Sequence, residues 1–383
     1  MPNTLLAEQQ KDFLKRGFSR RSFGRIATLI GAGSTLPFYN EAALAQLSFA
    51  GTPPPDAVII NANENPLGPC PEAADAIHNI VKLGGRYLYG ETAGLAKLLA
   101  ETESVKDDHI TIYAGSSQPL HTAVLAFCSP TKSFVTADPG YEAGQRAAQF
   151  IKAKVIGIPL TKDHAHDVRA MVKADPNAGI IYICNPNNPT GTLTSRADIE
   201  WALANKPAGS ILLLDEAYIH LSKAWENRGS DLVAAGKEIM ILRTFSKLYG
   251  MAGLRAGYAM ARPDLLAKIS SLGAGAMAVT AMAGASASVK VKTLVPERRK
   301  KIGDVREDTF AFLDKHNIHY IASDSNCFML DVKRPAREFM QAMMKEKVWV
   351  GRSWPSMPNY SRITVGTADE MEKFKAATLK VMA

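Results

Sequence analysis

The chain has 383 residues, of which 46% are hydrophobic and 21% are charged, and its formal net charge is +8. This is the composition of a globular protein with enough apolar residues for a large core. No run of Lys and Arg is interleaved with aromatic residues, which argues against nucleic acid as a partner. The four cysteines lack the spacing of metal ligands, so we expect no metal site and buried thiols at Cys70, Cys128, Cys184 and Cys327.

Residues 1–45 have the three-part layout of an export signal. They hold six cations against three acids and contain a mildly apolar stretch at 26–40 and the triplet Ala43-Leu44-Ala45. The sequence Ser19-Arg20-Arg21-Ser22-Phe23 resembles the twin-arginine signal family. We therefore predict export by the twin-arginine machinery, cleavage after Ala45 and a periplasmic location. The alternative is a basic amphipathic helix that packs on the body or on a partner.

From about residue 91, short apolar runs alternate with amphipathic stretches. Six of the runs predict strands, at 110–113, 133–136, 154–158, 179–184, 211–214 and 239–242. Five of the stretches predict helices, at 91–103, 118–128, 141–150, 195–204 and 263–272. This alternation predicts an α/β fold with a mostly parallel sheet wrapped by helices.

The chain after the export signal is expected to form a large and a small domain. Residues 46–90 would be an N-terminal arm and part of the small domain, 91–285 the large domain, and 286–383 a C-terminal small domain. A charged helix is predicted at 296–317. The segment 273–288 consists almost entirely of small residues, and both a tightly packed helix and a loop are compatible with it.

Two loops that follow predicted strands suit a phosphate group. Ligands of an open α/β sheet bind at the carboxyl ends of its strands, so we expect such loops to converge. Gly115-Ser116-Ser117 leads into a helix, where free N–H groups and hydroxyls can hold an anion, although plain helix capping is the alternative. Ser246 and Arg255 lie in a later loop and also suit a phosphate.

Three further strand ends carry other chemistry. Asp215 ends an apolar strand, where a carboxylate is costly to bury unless a cation such as a protonated heterocycle meets it. An exposed strand-end Asp is the alternative. Lys247 follows another buried strand, and a desolvated lysine near other cations has a lowered pKa and becomes a nucleophilic amine. Asn185-Pro-Asn-Asn188-Pro-Thr-Gly191 forms a polar turn too particular to be an ordinary one.

Taken together, these motifs resemble fold-type I pyridoxal-phosphate enzymes, and within them the histidinol-phosphate aminotransferase-like group. Residues 61–68 and 362–366 are also typical of that group, so the resemblance runs from 61 to 366. It implies a mostly parallel seven-stranded sheet with a smaller α/β domain, pyridoxal 5'-phosphate as cofactor, and amino-group transfer between an amino acid and a 2-oxo acid. A decarboxylase, racemase or lyase on the same scaffold, or an exported binding protein without catalysis, are the alternatives.

The resemblance also implies roles for individual residues. Lys247 would form the Schiff base and carry the substrate proton, and Asp215 would keep the pyridine nitrogen protonated. Tyr218, also assigned a catalytic role, and Asn188 would donate to the ring oxygen, while Tyr141 would stack on the ring. The phosphate would be held by Ser116, Ser117, Ser246 and Arg255, together with Tyr87 from the other subunit of a homodimer. The substrate would be bound by Arg362, Asn63 and Arg352.

The sequence departs from the histidinol-phosphate enzymes at several positions. Leu67 stands where they carry a tyrosine that holds the substrate phosphate, and Ser117-Gln118 stands where they carry an acidic pair. A periplasmic location also disagrees with histidine biosynthesis, which is cytoplasmic. We therefore expect an α-amino acid whose carboxylate meets Arg362. Trp349 and Trp354 are expected either at the far end of its pocket, with Arg352, or in the core.

Overall fold

The computed structural model of the protein describes residues 2–31, 52–273 and 276–383. The predicted cleavage triplet at 43–45 lies outside these residues. The strands are β1 (Val58–Ile60), β2 (Ile110–Tyr113), β3 (Ser133–Asp138), β4 (Val155–Pro159), β5 (Ala178–Cys184), β6 (Ile211–Asp215), β7 (Ile239–Thr244), β8 (Gly257–Ala261), β9 (Tyr320–Ile321), β10 (Cys327–Asp331), β11 (Val348–Val350) and β12 (Tyr360–Thr364).

The helices agree with most of the predicted helical stretches to within two residues. They are α1 (Pro2–Lys15), α2 (Arg20–Gly31), α3 (Pro71–Ile80), α4 (Tyr89–Glu103), α5 (Ser117–Phe127), α6 (Ala143–Phe150), α7 (Val168–Lys173), α8 (Arg196–Asn205), α9 (Ser230–Ala234), α10 (Pro263–Ser270), α11 (Val279–Lys290), α12 (Leu294–Lys315), α13 (Ala336–Lys345) and α14 (Ala368–Met382).

The central sheet of the described residues has seven strands in the order β2-β8-β7-β6-β5-β3-β4. Neighbouring strands are parallel except around β8, which is antiparallel to both β2 and β7. Strands β5 and β6 are buried along their whole length, as expected for central parallel strands covered on both faces. The predicted α/β fold with a mostly parallel seven-stranded sheet is confirmed.

The register of the central strands brings their carboxyl ends to one edge. Cys184 at the end of β5 pairs with Asp215 at the end of β6, and Asp215 pairs with Leu242 near the end of β7. Because β8 runs antiparallel, the connection from β7 to β8 also lies at this edge. The loops that hold the candidate residues therefore converge there.

The segment of small residues is largely helical. Helix α11 covers 279–290 and packs on α3, and a Cβ added at Gly284 would come within 2.8 Å of Cδ1 of Ile77. Small side chains thus let the two helices approach closely, which is the packed-helix interpretation. Residues 274–275 lie outside the described part of the chain.

Two smaller sheets involve the C-terminal part of the chain. Strands β12, β10 and β9 form an antiparallel sheet, and β1 pairs with β11 in parallel. The pairing of β1 with β11 places 58–60 beside the C-terminal elements, as the expected arm of the small domain would be. The division into domains stays a prediction, and its boundary after residue 285 falls within α11.

The N-terminal helices contact the body of the protein. The guanidinium of Arg16 donates to the carbonyl oxygens of Leu125 and, at 2.9 Å, of Cys128 at the end of α5. Phe13 and Phe18 are buried, with ring centroids 4.9 Å apart. This packing matches the alternative interpretation of the N-terminus, a basic helix on the body. None of the described helices has the length and hydropathy needed to cross a membrane.

Candidate active site

One cavity lies at the edge of the sheet where the parallel strands end. Its volume is about 880 Å³, including its open mouth. Nine of the predicted cofactor residues line it, namely Ser116, Ser117, Tyr141, Asn188, Asp215, Tyr218, Ser246, Lys247 and Arg255. The structure therefore brings together side chains that are up to 139 residues apart in the sequence.

Asp215 is a buried carboxylate at the end of β6. Its Oδ2 accepts a hydrogen bond from the hydroxyl of Tyr182 (2.8 Å), and its Oδ1 accepts one from the backbone N–H of Ala217 (3.1 Å). Burial raises its pKa to about 6, although these two hydrogen bonds act in the opposite direction. A cation within the cavity would stabilise the ionised form of this carboxylate.

Lys247 places an amine on the floor of the same cavity. Its side chain is 6% exposed, and Nζ donates to the backbone carbonyl of Asn63 (2.9 Å) and lies 5.4 Å from the centroid of the Tyr218 ring. The loop after β7 carries Lys247, while Asp215 ends the adjacent strand β6. A buried amine and a buried carboxylate thus face one cavity.

A chain of hydrogen bonds joins the tyrosine of the cavity to an arginine behind it. The hydroxyl of Tyr218 accepts from the side-chain amides of Asn63 (3.0 Å) and Asn188 (3.2 Å). Oδ1 of Asn188 accepts from the guanidinium of Arg362 (2.9 Å), which also donates to the carbonyl of Asn61 (2.9 Å). Arg362 is fully buried. Two of the predicted substrate residues therefore contact the cofactor residues directly.

One end of the cavity is a cationic pocket rich in hydroxyl groups. The guanidinium of Arg255 donates to Oγ of Ser246 (3.3 Å), and burial lowers the pKa of this arginine. Ser116 and Ser117 start α5, and the Ser116 side chain makes no capping hydrogen bond. Gly115 has φ +86°, and a Cβ there would overlap the guanidinium of Arg255. This end of the cavity is built for an anion.

The residues present fit pyridoxal phosphate. Arg255 and the hydroxyls of Ser116, Ser117 and Ser246 can hold its phosphate, since no acidic side chain among the described residues forms an ion pair with Arg255. The carboxylate of Asp215 in the same cavity suits its protonated ring nitrogen. Lys247 supplies the amine that its aldehyde requires.

Some predicted residues lie elsewhere. Tyr87 does not line the cavity of its own chain, and its side chain is 73% exposed. Asn63, Arg352 and Arg362 do not line the cavity either. Asn63 and Arg362 are hydrogen-bonded to residues that do line it, whereas Arg352 forms a bidentate ion pair with Glu142, so the structure does not place Arg352 at the substrate position. Trp349 and Trp354 are buried and also lie outside the cavity lining, which matches the core interpretation.

Several residues of the site were missed from the sequence. Tyr182 lies in the middle of β5 and was interpreted only as part of an apolar strand, but its hydroxyl holds Asp215. Its position two residues before Cys184 places both side chains on one face of the strand, a period-2 signal that could have identified it. Cys184 and Glu64 also line the cavity. All four cysteines are buried, as predicted.

The sequence model of the family Aminotransferase class I and II matches residues 55–377. The chain belongs to this family, and it is a pyridoxal-phosphate-dependent enzyme that transfers an amino group between an amino acid and a 2-oxo acid. The match covers all of the cavity residues described above.

Within the family, the chain is similar to proteins of the histidinol-phosphate aminotransferase group. It is 32% identical over 339 residues to histidinol-phosphate aminotransferase of Bacillus subtilis, which covers 85% of this chain and 91% of that protein. A solved structure from Erwinia carotovora atroseptica, provisionally described as the same enzyme, has a TM-score of 0.81 at 30% identity and covers 86% of this chain and 98% of that one. Histidinol-phosphate aminotransferase from Sinorhizobium meliloti, solved in complex with pyridoxal-5'-phosphate, shares the fold, with a TM-score of 0.77 at 23% identity and coverage of 90% and 95%.

Proposed function

We propose that the enzyme takes the amino group from an α-amino acid, with Lys247 as the cofactor-binding and proton-carrying residue and Arg362 as the group that binds the substrate carboxylate. The observation that carries this proposal is the geometry of one cavity. A buried amine, a buried carboxylate and a cationic hydroxyl-rich end line it, and a buried arginine is hydrogen-bonded to its wall.

Each of these residues has a physical task. Pyridoxal phosphate, when bound, supplies an electron sink that makes the bond to the substrate Cα hydrogen labile. Asp215, as a carboxylate, would hold the ring nitrogen in its protonated form, and the hydroxyl of Tyr182 orients that carboxylate. Tyr218 and Asn188 would orient the ring by hydrogen bonding, and Tyr141 would pack against it.

Lys247 moves the proton of the reaction. Its Nζ would act as an amine in a site that excludes most water, since Lys247 is 6% exposed. The nearby carbonyl of Asn63 accepts its hydrogen bond at 2.9 Å and keeps Nζ on one side of the cavity. A positioned amine of this kind can take a proton at the substrate Cα and return it at another carbon.

The charges beside the cavity favour a substrate without a distal phosphate. Leu67 and Glu64 line an adjoining cavity together with Lys301 and Asp369. Two carboxylates against one ammonium group repel a phosphate dianion, and Leu67 offers it no donor. Arg352, the other candidate anion contact, is occupied by Glu142. These contacts support an α-amino acid rather than histidinol phosphate as donor.

A single-turnover screen tests this proposal. We expect the purified holoenzyme to release one equivalent of 2-oxo acid per active site from an α-amino acid donor, and not to react with histidinol phosphate. Arg362→Lys should raise KM for that donor by about tenfold or more, because a point charge replaces a bidentate fork. Release of CO2, racemisation without 2-oxo acid, or reaction with histidinol phosphate alone would contradict the proposal.

The shared active site of a homodimer is part of the proposal. Large apolar side chains are exposed in the segment 81–89, where Val81 is 59%, Leu83 45%, Tyr87 73% and Tyr89 77% exposed. A cluster of this kind is typical of a surface that another chain covers. We propose that a second copy covers it and that Tyr87 reaches the phosphate end of the partner's cavity.

The N-terminal segment is proposed to be a twin-arginine export signal that directs the folded enzyme to the periplasm. Arg20 and Arg21, at the start of α2, are both exposed and thus accessible to an export receptor. Replacing both by Lys should abolish the appearance of the shortened chain in the periplasmic fraction, with Lys11→Gln as the control. If full-length enzyme stays in the cytosol of cells with an active twin-arginine system, α1 and α2 are a permanent part of the body instead.

A further inference from the structure

Two segments beside the cavity are joined by three side-chain hydrogen-bond contacts in succession. We call residues 352–356, between β11 and β12, the strap, and residues 138–142, between β3 and α6, the ring loop. Arg352 binds Glu142, the indole N–H of Trp354 donates to the carbonyl of Gly140 (3.1 Å), and the hydroxyl of Ser356 donates to Asp138 (2.7 Å). Every second residue of the strap thus meets every second residue of the ring loop, in antiparallel order.

The ring loop carries Tyr141, which lines the cofactor cavity between two of these contacts. Tyr141 precedes Glu142 and follows Gly140, so both of its neighbours in the chain are held by the strap. Its side chain is 9% exposed, but its own position depends on a loop rather than on a strand or helix. The strap therefore limits how far the ring of Tyr141 can move relative to the cavity.

The strap also contacts the proposed substrate arginine. The ring of Trp354 contacts two guanidinium groups, with Cζ of Arg352 4.4 Å and Cζ of Arg362 5.6 Å from its centroid. Both distances are in the range of cation–π contacts. Trp354 thus packs against Arg362 while its indole N–H holds the loop of Tyr141.

The ion pair at the end of the strap is partly shielded from water. The side chain of Arg352 is 8% exposed and that of Glu142 is 18% exposed, and the two form parallel hydrogen bonds of 2.5 and 2.8 Å. A bidentate pair fixes orientation as well as distance, which a single ammonium group would not do.

We propose that the strap sets the distance between the cofactor face covered by Tyr141 and the substrate carboxylate held by Arg362, with Arg352 as its positioning residue. This inference rests on the proposed function. The inference explains why Arg352, which was expected at the substrate, is instead paired with Glu142. Arg352 acts on the site through Tyr141 and Trp354.

The test compares holoenzyme variants by the visible circular dichroism of the bound cofactor and by KM for the amino donor. Arg352→Lys keeps the buried charge opposite Glu142 but loses the fork, and Arg352→Gln removes the charge. Both should diminish the circular dichroism band and raise KM by about tenfold, with a smaller change in kcat, because the substrate is held away from its productive position. Glu142→Gln should act in the same way.

Two further variants separate positioning from simple loss of stability. The double variant Glu142→Gln/Arg352→Gln should be no worse in KM than either single variant, because all three lose one shared contact. Arg196→Gln breaks a bidentate ion pair with Asp231 of similar geometry at the surface, and it should leave the circular dichroism band and KM unchanged.

The outcomes distinguish this inference from the proposed function. A wild-type protein that neither binds the cofactor at Lys247 nor turns over an amino acid would contradict both. A wild-type enzyme that does both, with Arg352→Lys and Arg352→Gln changing only the melting temperature, would contradict the positioning role alone. Additive effects in the double variant would show that the pair does not act as a unit, and would also overturn it.

Discussion

Replacing Lys247 by Ala should lower kcat/KM by about 10⁴-fold, because the reaction loses the amine that carries its proton. The same change should remove the covalent attachment of the cofactor. Borohydride reduction of the wild-type enzyme, followed by peptide mapping, should place the cofactor on the peptide that contains Lys247. Lys247→Arg keeps a cation in the cavity and is the matched control, since it should bind the cofactor without becoming labelled.

The position of the label tests whether the cofactor is attached to Lys247. Lys237 and Lys268 are the lysines on either side in the sequence and do not line the cavity, so they serve as internal controls in the same digest. A label on either of them, or on no lysine at all, would remove the basis of the proposed mechanism. Unchanged turnover in Lys247→Ala would do the same.

Replacing Asp215 by Asn should lower kcat by about 10³-fold, because the cofactor ring loses the charge that keeps its nitrogen protonated. Asn has nearly the same shape as Asp, so the cavity and the hydrogen bond with Tyr182 can persist. The expected result is a protein that still binds the cofactor and reacts with borohydride but turns over slowly. Activity within tenfold of the wild type would contradict the role of Asp215.

The same substitution, which lowers activity, should raise the stability of the cofactor-free protein relative to the wild type as the pH rises. Burial raises the pKa of Asp215 from 3.8 to about 6, so this group favours folding fully below pH 3.8 and the contribution is lost as the pH rises through about 6. The loss amounts to at most about 3 kcal/mol, and Asp215→Asn removes it. We therefore expect urea unfolding at pH 5 and pH 8 to show that the free energy of unfolding of the variant, relative to that of the wild type, is higher at pH 8. An equal difference at both pH values would mean that Asp215 is not buried as an acid.

The sheet and most of the cavity were predictable because their signals are local. Short continuous apolar runs such as 179–184 and 211–214 are typical of central strands, and each predicted strand was found within two residues of its expected bounds. The ends of parallel strands meet at one edge for topological reasons, so Asp215 and Lys247 could be placed together before the structure was known. Family resemblance then supplied the chemical roles.

Strand β8 was not predicted, and neither was the position of Arg352. Both depend on contacts between distant residues that sequence patterns do not contain. Strand β8 reads Gly-Tyr-Ala-Met-Ala, which lacks the β-branched residues that indicate a strand, and its pairing with β2 and β7 defines it. Arg352 is a cation near an expected anion site, but its partner Glu142 lies 210 residues earlier. The packing of Arg16 on the end of α5 is equally non-local.

Buried charge was the hardest feature to foresee. Arg243 lies within the apolar strand β7, fully buried, and forms ion pairs with Glu103 and Glu216. From the sequence it is an isolated cation near the end of a strand, where an exposed side chain is the ordinary expectation. Only the fold brings the two carboxylates to it, and such a network stays intact only if all three members are present.

The hairpin connection between β7 and β8 has a consequence for how such enzymes diversify. The amine that captures the cofactor and the arginine that suits its phosphate lie in one uninterrupted stretch, 239–261, closed at both ends by strand pairing. The amine proposed to attach the cofactor and part of the proposed phosphate site thus belong to one continuous structural unit. The residues proposed to bind the amino donor, Asn63 and Arg362, instead come from two distant parts of the chain, so a change of donor does not require this stretch to be rebuilt.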